Sequence, residues 1–121
     1  MAKLSKLSIG VTVSGDGTTT TYAPPGNPFE NAAAPNGGTV DFDLAMGVNT
    51  IPIPSGGAAG AVGVVIVPPA GSANAKILKG VGGDTGFTIH ANRPTVLSFD
   101  PATTDFVIDS AGAETIELQW L

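Results

Sequence analysis

The chain is predicted to be all-β, a single-domain antiparallel β-sandwich of jelly-roll or other Greek-key order. Three observations predict it. Short apolar alternations recur along the sequence, turn signals separate them about every 8–12 residues, and nowhere do about 10–15 consecutive residues keep a helical period. The clearest alternation closes the chain, where Ile116, Leu118 and Trp120 interleave with Glu117, Gln119 and Leu121. One face of that closing strand is apolar and the other mostly polar.

With 121 residues the chain suits one domain, residues 1–121, in which 1–6 form an N-terminal arm and 23–38 a long irregular loop. A chain of this size buries roughly two-thirds of the surface that its unfolded form exposes, so it needs no covalent staple. It has no cysteine, which excludes disulfides, thiolate nucleophiles and Cys-based metal centres. The net charge of −5 sets ten carboxylates against five cations, and beyond Lys3 and Lys6 only Lys76, Lys79 and Arg93 remain. No basic patch is available for nucleic acid. Charged residues are 12% of the chain, about half the usual share, so much of its exterior is apolar or neutral. Such a surface suits burial against neighbours, and a homo-oligomer or larger assembly is expected.

Along the chain, Lys3 and Lys6 precede apolar residues, but Ser, Gly and Thr interrupt every apolar run before it reaches the length of a signal-peptide core. Leu7, Ile9, Val11 and Val13 instead sit at period two, as in a strand. No segment approaches the ~20 apolar residues that cross a bilayer, and the most apolar stretch, 58–67, is split by Gly60 and Gly63. A soluble protein with no membrane partner is expected. Ser14-Gly15-Asp16-Gly17 is a tight-turn signal followed by a β-branched run, so 5–22 reads as a hairpin. Residues 23–38 contain four prolines and three glycines, which defeat helix and central strand alike; Ala32-Ala33-Ala34 could form one helical turn at most. Connections longer than about 12 residues tend to be functional arms or mobile segments. Phe29 is the one large apolar residue there, and it either pins the loop to its own core, the plainer reading, or plugs into a neighbour.

Alternation resumes at Thr39–Leu44. The strand at 50–53 carries prolines that confine it to a sheet edge. The glycine-alanine patch at 55–60 leads into 62–67, a continuous apolar run expected to lie between two sheets. Pro68-Pro69-Ala70-Gly71 ends it, and strands follow near 75–78, 87–90, 95–99, 106–108 and 115–120.

Candidate chemistry is sparse. Asp84-Thr85-Gly86 matches the tripeptide of aspartic proteases, which in a chain this short would work as a homodimer with two carboxylates sharing a proton. Its flanks differ from theirs, since Gly82-Gly83 precede, Phe87 follows and Val107-Ile108 runs into Asp109; a glycine-rich turn is the better reading. His90 is the sole histidine, and Ser98 with Asp84 or Asp100 stands in no recognisable nucleophile motif. Asp41 and Asp43 share a strand face and with Asp16 or Glu30 could bind calcium, although a solvated face needs no metal to explain it. The spacing of Gly83 and Gly86 fits a short RNA clamp but lacks its helix and its basic surface. For sugar stacking Tyr22 is the only platform, because Trp120 falls on the apolar phase of the last strand. No catalytic, cofactor or metal residue is expected. The expected interaction residues are Tyr22, Pro24, Pro25, Phe29 and Pro35.

The run from Ile77 through Lys79-Gly80-Val81-Gly82-Gly83-Asp84-Thr85-Gly86-Phe87 to His90, then Arg93-Pro94-Thr95-Val96-Leu97-Ser98-Phe99 and a closing strand with an aromatic-apolar pair, resembles small all-β virion structural proteins of tailed bacteriophages. The resemblance implies a non-enzymatic part present in many copies: a capsid decoration (cement) protein that binds across capsid subunits, or a tail or baseplate component. It also implies the major capsid protein or other virion subunits as partners, self-association in which trimers would suit local threefold axes, manufacture in the bacterial cytoplasm and residence in the virion. A carbohydrate-binding β-sandwich for host-surface adhesion is the alternative from another class.

Overall fold

The computed structural model describes residues 3–5, 11–15, 18–22, 31–34, 39–54, 61–100 and 102–121, and among them every regular element is a strand. The strands are β1 (Lys3–Ser5), β2 (Val11–Gly15), β3 (Thr18–Tyr22), β4 (Asn31–Ala34), β5 (Thr39–Leu44), β6 (Gly47–Pro52), β7 (Gly63–Val67), β8 (Lys76–Lys79), β9 (Phe87–Ile89), β10 (Thr95–Ser98), β11 (Asp105–Ser110) and β12 (Glu114–Trp120). No helix among the described residues is long and apolar enough to cross a membrane.

β5 to β12 build two four-stranded sheets, one in the order β10-β7-β12-β5 and the other β6-β11-β8-β9. All neighbours are antiparallel. Every step from β5 to β12 crosses from one sheet to the other except β8 to β9, which pair directly. The inward side chains of both sheets form one core: Leu44, Val64, Ile66, Ile116, Leu118 and Trp120 from the first, Ile51, Leu78, Ile89, Phe106 and Ile108 from the second, with Ile53 and Ala61 beside them. Two sheets sharing a core in this way are packed as a β-sandwich. Phe106 and Trp120 meet across it edge-to-face, with ring centroids 6.3 Å apart.

Sequence accounts for these positions. β12 alternates buried and partly exposed residues, so Trp120 is core. β7 lies in the interior of its sheet and is buried over Gly63–Ile66, because Val64 and Ile66 face the core and Val65 is covered on the other side. β6 stands at an edge, where the missing N–H of Pro52 costs no ladder bond.

Four strands lie outside these sheets. β2 and β3 form a hairpin whose register closes with Gly15 opposite Thr18. β1 pairs with β4, Lys3 opposite Ala34. Of the 23–38 stretch the structure describes Asn31–Ala34 alone, and these residues, for which the sequence allowed one helical turn at most, are extended as β4. A single helical turn fixes several dihedrals for one hydrogen bond, and Pro35 bars its continuation, whereas pairing with β1 supplies backbone partners at once. Pro24, Pro25, Phe29 and Pro35 lie outside the described residues.

Candidate functional site

β9 and β10 are the terminal strands of their sheets, and between them the sandwich is open. The register that sets Phe87 opposite Leu78 turns both toward the sandwich interior, while Leu97 of β10, opposite Val64, faces them from the other sheet. The space they leave is a cleft of about 350 Å³, walled by Ile53, Leu78, Phe87, Leu97, Phe99 and Phe106 and rimmed by Gly80, Asp84, Ser98 and Thr103. Its volume is in the range of ligand-binding clefts, which begins at about 300 Å³. Phe87 points inward and is nevertheless 61% exposed, since among the described residues no neighbouring strand covers the far side of β9.

The loop at 80–86 shapes the mouth. Asp84 Oδ2 accepts the Val81 N–H at 3.0 Å, and the Asp84 N–H donates to the Val81 carbonyl at 3.0 Å. Gly86 has φ +64°, and a Cβ there would stand 2.3 Å from the Leu78 carbonyl oxygen, so only glycine fits. Asp84-Thr85-Gly86 is thus a turn, with its carboxylate engaged by the backbone. Lys79, the other charge at the rim, donates to Asp109 Oδ2 at 3.0 Å. Both rim charges are held within the chain, and the cleft presents a neutral apolar surface.

A second constellation ties the sheets together where β8 begins. Lys76 is fully buried, and its ammonium is ion-paired with Glu114 of β12 and donates to Ser72 Oγ at 3.2 Å and to the carbonyls of Asn74 and Ala91, each at 2.9 Å. Glu114 also accepts from Ser72 Oγ at 2.5 Å and from Asn74 Nδ2 at 3.2 Å. Burial pushes the Glu114 carboxyl up, but the hydrogen bonds from Lys76, Ser72 and Asn74 together with the Lys76 charge outweigh it and hold the group below its ordinary value. Gly112 packs so closely on Asn74 that a Cβ would stand 2.6 Å from Oδ1. The partners in this constellation all come from within the chain, and Glu114 Oε1, buried without a hydrogen bond, is balanced by the Lys76 charge alone, which makes this a structural clasp between the sheets.

The remaining candidates are dispersed. His90 is exposed and its Nδ1 accepts the Asn92 N–H at 3.2 Å; Asp100 Oδ1 accepts the Ala102 N–H at 2.8 Å. Asp43 accepts a hydrogen bond from Thr115 at 2.6 Å, and Asp41 stands opposite Glu117. Among the described residues no three His, Asp or Glu side chains gather to hold a metal ion. Tyr22 ends β3, opposite Val11. Sequence reasoning missed the cleft and the clasp. Phe87 and Ile89 share the inward phase of a strand, a signal for the first; Lys76 shares the phase of Leu78, a signal for a buried lysine, but nothing local points to Glu114 as its partner.

No protein-family profile matches the chain, and neither a characterised protein nor a solved structure shows significant similarity to it.

Proposed function

We propose that the chain is a non-enzymatic virion structural protein of a tailed bacteriophage, a capsid decoration protein that binds across capsid subunits, and that its sandwich is a jelly roll. The order of strands supports the fold: numbered from β5, the sheets run sixth-third-eighth-first and second-seventh-fourth-fifth, the double Greek key of jelly rolls. That architecture serves viral capsid proteins, lectins and other functions, so the site has to choose among them. The observation that carries the choice is the neutral apolar cleft at an open sandwich edge. It offers apolar surface to bury, at about 25 cal/mol per Å². Repeated over many copies on a particle, such weak contacts add by multivalency.

Particles lacking the protein provide the test. Mixed with them and sedimented, it should pellet with heads in a fixed ratio to the major capsid subunit. Pelleting with tails alone would make it a tail or baseplate component, and remaining in the supernatant with both would overturn the virion reading. The exposed Phe87 ring beside the hydroxyls of Ser98 and Thr103 supports a second reading, a carbohydrate-binding module, which requires that Phe87→Ala abolish a signal on a glycan array.

A further inference from the structure

Each sheet ends in two edge strands, and exposed edges invite pairing with another chain unless charge, proline or shortness blunts them. β5 carries Asp41 and Asp43; β6 carries Pro52 and is followed by Pro54; β9 has three residues. β10, Thr95-Val96-Leu97-Ser98, has no charge and no proline, and Val96 is 39% exposed. Among the described residues it is the edge strand of the two four-stranded sheets that is longer than three residues and has neither a charge nor a proline within its own span.

Its backbone has a definite polarity. Phe99 donates its N–H to the Val62 carbonyl on the β7 side at 3.1 Å, and in an antiparallel ladder the residues that bond to one neighbour alternate with those that face away. Leu97 and Thr95 therefore bond toward β7, and Val96 and Ser98 direct N–H and C=O away from the sheet. We propose that β10 pairs antiparallel with β10 of a second copy about a twofold axis at Leu97. In that register Val96 meets the second copy's Ser98 and Ser98 the second copy's Val96, and each pair exchanges two hydrogen bonds. A shift that set Val96 against its own counterpart would bring Pro94, which has no N–H, opposite Ser98 and leave each outward Ser98 carbonyl without a donor.

Charge favours the same partner. The chain carries −5 overall, but Asp41, Asp43 and Glu117 lie on β5 and β12, toward the far edge of the sheet. Antiparallel pairing sets the N-terminal end of β10, beside the exposed Arg93, against the second copy's C-terminal end, beside the exposed Asp100, and the twofold axis repeats this. The pairing also extends the first sheet past the cleft, so that Leu97 and its counterpart close over a space that leaves Phe87 exposed in the single chain.

This dimer does not depend on the virion reading, since self-association and particle binding are measured separately. The test is sedimentation velocity on the full chain from about 1 µM to about 1 mM. A concentration-dependent dimer is expected. Val96→Pro removes an outward N–H that the chain's own ladder does not use, and should weaken the dimer at least about tenfold with an unchanged circular dichroism spectrum. Arg93→Asp should weaken it several-fold, and adding Asp100→Arg should restore it. If Val96→Pro fails to fold, the charge exchange decides alone. A monomer at every concentration, a trimer, a dimer indifferent to a folded Val96→Pro variant, or a charge exchange that restores nothing would each overturn the pairing.

Discussion

At the scale of single residues the decisive group is Lys76, a cation with no exposed side-chain surface whose charge is balanced by one carboxylate from the opposite sheet. Removing that carboxylate leaves the ammonium buried and uncompensated, so Glu114→Ala should cost about 3–5 kcal/mol in urea denaturation, and the double replacement Lys76→Met with Glu114→Leu should recover most of it. The pair also gives a pH dependence. Glu114 titrates below its ordinary 4.5 in the folded chain, so its contribution is complete above that value and is lost as pH falls from there through the folded value. Urea midpoints should fall across that acid range, and less steeply in Glu114→Gln. Gly86→Ala should cost more than about 2 kcal/mol by the same measurement, because a positive φ and a backbone oxygen both oppose a Cβ. The turn at Asp84 was legible in the sequence, because Gly82, Gly83 and Gly86 are local signals. Glu114 as partner of Lys76 was not, because the two meet only when the sheets stack.

Among the elements, position within a sheet decides what a strand's residues are worth. Ile108 lies on β11, between β6 and β8, with no accessible surface; Phe87 lies on β9 with only one neighbour. Ile108→Ala should therefore destabilise by about 2–5 kcal/mol, and Phe87→Ala, though it deletes a larger side chain, by less than about 1 kcal/mol at concentrations where the chain is monomeric. Thermal and chemical denaturation of the two variants side by side would measure this, and a Phe87 cost equal to that of Ile108 would mean the cleft is closed in the single chain. Strand existence was legible because alternation is a local property: β12, β7 and the edge position of β6 follow from residue pattern and proline alone. β4 was not, because three alanines between an asparagine and a proline carry no period, and only pairing with β1 makes them a strand.

For the molecule as a whole, every buried core residue among those whose burial is described lies from Leu44 onward, and the eight strands of the two large sheets begin at Thr39. Residues 39–121 should therefore fold without 1–38, giving a cooperative denaturation transition, and a non-cooperative one would place part of the stabilising surface in the first 38 residues. The sequence by itself determined that the protein is all-β, which residues face inward along each strand, and that no cysteine or basic patch is present, because composition and period-two alternation are read within one segment. The tertiary structure decided which strands neighbour one another, that Lys76 is buried against Glu114, and that Phe87, inward by its phase, stands at an open edge. Those facts depend on pairing and stacking between segments far apart in the chain, and alternation fixes the side toward which a residue points without fixing what stands across from it.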